Sequence, residues 1–211
     1  MITSELLIFL IPLAVVLTTY SKYAGKRNLL LFSKPLTITL IILLAFNFYP
    51  ESFVQGKEWV IAALVASAFG DIFLMFKEKL FKAGILAFLA AHIFYLLFFI
   101  DGMLVSKLIN YYSLAIYILA GVLTYMITEK AGKYKILVSI YVFALASMAA
   151  FSIPYFLSTG DIKVVIAALL FMISDFVLGW NKFNNQLKYA ELIILPTYFA
   201  AQFLFALSIN I

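Results

Sequence analysis

The chain has 211 residues, of which 66% are hydrophobic and 12% charged, with a mean hydropathy of +1.10. A soluble domain of this length is about half apolar and about a quarter charged, so much of this surface must face lipid. The net charge of +5 does not indicate nucleic acid, because the bases lie in short stretches between apolar runs, and the lack of cysteine excludes disulfide and thiolate chemistry.

Crossing about 30 Å of hydrocarbon takes a helix of about 20 residues. Apolar segments of that length fall near residues 5–21, 30–49, 58–76, 81–100, 108–128, 134–157, 161–180 and 190–210. The first, MITSELLIFLIPLAVVLTTYSK, lacks a basic leader and carries Glu5 before its apolar run. It is expected to stay as a transmembrane helix rather than be cleaved as a signal. The predicted fold is all-α and polytopic, with eight transmembrane helices in a single integral membrane domain over residues 1–211. The compact form without a targeting segment suits a bacterial inner membrane.

The connecting segments alternate in basic content. Those after the first, third, fifth and seventh helices hold Lys22, Lys26 and Arg27; Lys77, Lys79 and Lys82; Lys130, Lys133 and Lys135; and Lys182 and Lys188. The intervening three hold Lys57, Lys107 and Lys163. Positive charge stays on the cytoplasmic side, which predicts both termini outside.

An ionisable side chain at a helix centre is disfavoured by about 2.5–3.5 kcal/mol, so each one needs a reason. Lys34, Asp71, His92 and Asp175 lie within apolar segments, Glu191 opens the last one, and Gln202 adds an uncharged polar group. Asp71 and Asp175 each fall about 9–10 Å before the basic flank that follows them, and Lys34 lies at a similar depth. His92 is nearer mid-membrane and shares a helix face with Tyr95; Glu191, Leu195, Tyr198 and Gln202 share another. Most of these groups fall in the cytoplasmic half, which predicts one polar cavity open to the cytoplasm. Bland readings stand beside this one: an Asp paired for packing, a buried structural His, a snorkelling Lys34 and an interfacial Glu191.

Internal similarity points the same way. GDIFLMF around Asp71 matches SDFVLGW around Asp175, and FLAAH ending at His92 matches YFAAQ ending at Gln202. A 4+4 parallel duplication would set the two acids symmetrically about an axis along the membrane normal.

An ordered set of short motifs runs through residues 34–202: Lys34-Pro35, Gly70-Asp71 with Leu74-Met75, His92 with Tyr95, Leu170-Phe171, Ser174-Asp175 with Leu178, Phe183, and Tyr198 with Gln202. In this set the chain resembles the YhhN-like integral membrane proteins, the family that includes lysoplasmalogenase. Gly179-Trp180 departs from the family pattern, which bears on substrate detail more than on membership. The resemblance implies hydrolysis of the vinyl-ether bond of a lysoplasmalogen, a lysophospholipid, to a fatty aldehyde and glycerophosphocholine or glycerophosphoethanolamine, with Asp71 and Asp175 as the catalytic pair. A related ether lipid or lysolipid stays open as substrate, and no cofactor or metal is expected.

That chemistry suits the residues. Vinyl-ether hydrolysis needs a proton donor, a base for water and negative charge beside an oxocarbenium-like cation, and two carboxyls in unequal surroundings can divide these roles. His92 or Tyr95 would relay a proton or orient water; Lys34, Ser174, Tyr198 and Gln202 would contact substrate. The alternatives are a small proton-coupled transporter, given the intramembrane acids and Pro12, Pro35, Pro154 and Pro196; a hydrolase with a metal held by Asp71, His92 and Asp175; and a lipid-binding membrane protein.

Overall fold

The computed structural model of the protein describes residues 3–50, 52–76, 79–107 and 111–210. Lys77 and positions 108–110 of the fifth expected segment lie outside the described residues. Eight α-helices follow in order: α1 (Ser4–Tyr23), α2 (Arg27–Phe48), α3 (Lys57–Met75), α4 (Phe81–Gly102), α5 (Tyr111–Thr128), α6 (Lys135–Thr159), α7 (Ile162–Phe183) and α8 (Glu191–Leu207), with no strand among the described residues. Seven are long and apolar enough to cross a membrane, and α8 has 17 residues, the lower end of the spanning range. The last expected segment ran to residue 210, but the helix closes at Leu207. There the Ser208 hydroxyl donates to the Phe205 carbonyl at 2.7 Å and the Ser208 N–H tightens the final turn.

Consecutive helices pair as α1 on α2, α3 on α4, α5 on α6 and α7 on α8. Contacts of α2 with α3 and of α6 with α7 link the pairs, and α4 on α6 and α8 on α1 and α2 close the bundle. Helix α6 is buried through its middle, with every residue from Leu145 to Ala150 buried, whereas α5 buries only Ala120, Ile127 and Thr128. The outward faces carry large apolar side chains such as Phe9, Val16, Ile118 and Phe143, each more than 60% exposed. A surface of this kind is stable only against lipid.

Inside hydrocarbon each backbone carbonyl freed by a proline needs a new donor. Pro154 in α6 has no N–H to give Ala150, and the Ser113 hydroxyl of α5 supplies the hydrogen bond at 2.8 Å. A buried hydrogen bond of 3.0 Å between Thr18 and Thr37 ties α1 to α2, and the Trp59 indole donates to Asp101 at 2.8 Å, tying the start of α3 to the end of α4.

Glycine sets the closeness of α3 and α4. A Cβ on Gly70 would come within 2.6 Å of the Phe88 ring, and one on Gly84 within 2.6 Å of Leu74. The small residue beside Asp71 thus lets α4 lie against α3.

Candidate functional site

A cavity of about 510 Å³ enters the bundle from the end where α1 meets α2 and α7 meets α8. Its rim carries Lys22 from the last turn of α1, Arg27 from the start of α2, Lys182 from the last turn of α7 and Glu191 from the start of α8. Its walls are mostly apolar, among them Leu30, Leu74, Phe88, Leu145, Met172 and Leu195. Both Asp71 and Asp175 line it, with Lys34, Tyr141, Ser174 and Tyr198. The depth matches from helix to helix: Lys34, Tyr141, Asp175 and Tyr198 each lie about 9–11 Å along their helices from that rim.

The two carboxylates have different neighbours. Asp71 is 1% exposed. Its Oδ1 is 2.9 Å from the Lys34 ammonium, and its Oδ2 accepts from the Tyr198 hydroxyl at 2.8 Å. Helices α2, α3 and α8 therefore meet at one charge-assisted cluster. Lys34 does not snorkel: its side chain is 14% exposed and turned to Asp71. Asp175 accepts a hydrogen bond from the Tyr141 hydroxyl of α6 through Oδ2. The same oxygen lies 3.6 Å from His92 Nε2, beyond hydrogen-bond reach, and among the described residues no Lys or Arg pairs with Asp175. One acid is thus matched to a cation and the other to the hydroxyl of Tyr141.

The remaining expected site residues fall into two groups. Ser174 lines the cavity, but its hydroxyl donates to the Ile194 carbonyl at 3.0 Å and fastens α7 to α8. His92, Tyr95 and Gln202 are all fully buried and lie behind the cavity wall. His92 packs edge-on against Tyr141 and Phe171, with neither ring nitrogen hydrogen-bonded. The Tyr95 hydroxyl donates to Gln202 Oε1 at 2.5 Å. Gln202 stands one turn deeper on α8 than Tyr198, which takes it past the cavity floor. Among the described residues no three His, Asp or Glu side chains are grouped to hold a metal ion; the Lys34 ammonium stands at Asp71 instead.

Tyr141 was not legible as a site residue. In a chain with 13 tyrosines and 22 phenylalanines, a tyrosine inside an apolar helix looks like packing. The available signal was its depth, six residues into α6 and level with Lys34 and Asp175. Glu191, expected as an interfacial charge, lies at the rim and also lines the cavity, paired with Lys22 at 3.1 Å.

The YhhN family model matches residues 29–209, from the second helix to the end of the last. The chain is 35% identical over 156 residues to Lysoplasmalogenase TMEM86B of Sus scrofa, covering 70% of this chain and 62% of that protein. It is 30% identical over 159 residues to Lysoplasmalogenase TMEM86A of Homo sapiens, covering 71% and 64% respectively. The chain thus spans less than two thirds of the length of these relatives. No solved structure matches it. With the family match covering most of the chain, from α2 to α8, the protein belongs to the YhhN family of integral membrane proteins.

Proposed function

We propose that this protein is a lysoplasmalogenase, a membrane-embedded hydrolase that cleaves the vinyl-ether bond of a lysoplasmalogen by acid–base catalysis with Asp175 and Asp71. The observation that carries the reading is the convergence of two intramembrane carboxyls, distant in sequence, on one apolar cavity with a charged rim. A lysolipid fits that layout: its headgroup at the rim, its ether oxygen at the depth of the acids, its chain against the apolar walls. The names of the relatives agree with it.

The different neighbours of the two acids divide their roles. Asp71, against Lys34 and Tyr198, is the ionised partner. Asp175, with Tyr141 on one oxygen, keeps the other free to carry a proton. Asp175 protonates the β-carbon of the vinyl ether, the double-bond electron pair forming the new C–H bond and leaving an oxocarbenium ion. Asp71 stabilises that cation and takes a proton from the water that adds to it. In the collapse of the hemiacetal, the Asp175 carboxylate takes the hydroxyl proton. The bond to the glycerol oxygen breaks, and that oxygen receives the proton held by Asp71. Aldehyde and glycerophospho-headgroup leave with both acids restored. His92, behind Asp175, and the Tyr95–Gln202 pair, one turn below Tyr198, hold the two acids in place.

The bases at the cavity end orient the chain with that end in the cytoplasm and both termini outside. A parallel duplication is part of the same reading. The pairing of α1 to α4 recurs in α5 to α8. The first residues of the matched motifs, Phe88 and Tyr198, also meet edge-to-face at 5.8 Å, and Tyr95 and Phe205, seven positions further on in each, stack at 3.9 Å. Contact between matched positions is what a two-fold axis between α4 and α8 produces.

The test is incubation of purified protein with a panel of alkenyl, alkyl and acyl lysophospholipids, followed by mass spectrometry. The reading predicts aldehyde and headgroup in equal amounts from the alkenyl lipids alone. Movement of lipid across sealed vesicles without product would favour transport.

A further inference from the structure

The Lys22–Glu191 ion pair, 3.1 Å long, stands where two hollows meet. Both residues line the main cavity, and both also line an adjoining cleft of about 420 Å³ completed by Tyr23, Lys188, Tyr189 and Leu192. The Tyr23 and Tyr189 rings stack with centroids 6.3 Å apart, and the Lys188 ammonium sits 5.2 Å over Tyr189. That ring face thus already attracts a cation. An exposed ion pair adds little to stability, so holding this fold together is a weak reason for its position.

Its charges have a direct complement. A zwitterionic headgroup carries a phosphate and, two carbons beyond it, an ammonium. Placed across the pair, the phosphate takes Lys22, with Arg27 on the same rim, while the ammonium takes Glu191. Lys22 and Glu191 each exchange one partner for another, and the ligand ammonium takes the place of Lys188 on the Tyr189 face. On the cleft side, a carboxylate beside two tyrosine rings is the environment that binds a quaternary ammonium.

We infer that Lys22, Glu191, Tyr23 and Tyr189 form a subsite for a zwitterionic phospho-ammonium headgroup and set the headgroup preference of the adjoining cavity. The inference rests on the lysolipid reading for what fills that cavity. It removes the headgroup from Lys34 and Gln202, which are engaged with Asp71 and Tyr95.

The test is equilibrium binding, to the purified full chain in detergent, of two lipids that cannot be hydrolysed at a vinyl ether: the hexadecyl ether of glycerophosphocholine and that of glycerol phosphate. The wild type is expected to favour the choline lipid by about tenfold, the scale of one charge-assisted contact. Glu191→Gln removes that preference by weakening the choline lipid alone, and Tyr189→Leu acts in the same direction. The double variant Lys22→Glu with Glu191→Lys keeps an ion pair between α1 and α8 and also loses the preference, so a folding defect in Glu191→Gln leaves the question answerable. Equal binding of both lipids by the wild type, or an equal loss of both in Glu191→Gln, overturns the inference. Failure of the wild type to release aldehyde from alkenyl lipids would sink the hydrolase reading and leave this binding preference standing.

Discussion

Lys34 Nζ lies 2.9 Å from Asp71 Oδ1, inside a bundle of apolar helices and about two turns below the nearest loop. Removing one member of a buried pair leaves the other charge uncompensated, at about 3–5 kcal/mol. Lys34→Met is therefore expected to lower the denaturation midpoint in detergent sharply and to abolish turnover. Adding Asp71→Asn is expected to restore most of the stability and none of the activity. Denaturant titrations of the two variants and the wild type check this.

Tyr141 holds Asp175 through a hydroxyl that no other described residue replaces. Tyr141→Phe keeps the ring packing against His92 and loses one hydrogen bond, about 1 kcal/mol of stability. The expected kinetic signature is a fall in kcat on the order of tenfold with KM unchanged, since the substrate wall is intact and only the acid is misplaced.

Protonation on carbon leaves a mark in the product. In D2O the released aldehyde is expected to carry one deuterium at the carbon next to the carbonyl. Rapid reduction to the alcohol followed by mass spectrometry measures it. A product without deuterium at that carbon would exclude protonation of the double bond as the first step.

Orientation is open to a clean test because the chain has no cysteine. Phe53, 97% exposed in the segment between α2 and α3, and Lys133, between α5 and α6, lie in connections of opposite predicted sidedness. In sealed right-side-out vesicles, Phe53→Cys should react with an impermeant maleimide at once. Lys133→Cys should react only after permeabilisation.

The helices were legible from the sequence to within a few residues because hydrocarbon thickness fixes their length and charges mark their ends. Asp71 and Asp175 were legible for a related reason, as ionisable groups in apolar runs at one depth. Depth comes from counting residues; azimuth does not. The match of Lys34 with Asp71, rather than with Asp175 or with headgroups, depends on how α2 and α3 are rotated against each other. The burial of Gln202 behind Tyr198 depends on where the cavity floor lies. Tyr141 was hidden by abundance, since one hydroxyl among many tyrosines carries no pattern. Glu191 was ambiguous because the first residue of a helix is both interfacial and, here, on a cavity rim.

Aldehyde release from an alkenyl lysophospholipid by purified wild type, Asp71→Asn and Asp175→Asn is the most direct measurement of the two-carboxylate site. The expected result is equal yields of aldehyde and glycerophospho-headgroup from the wild type and a loss of about a thousandfold or more in each folded variant. Near-wild-type rates in either folded variant would contradict it.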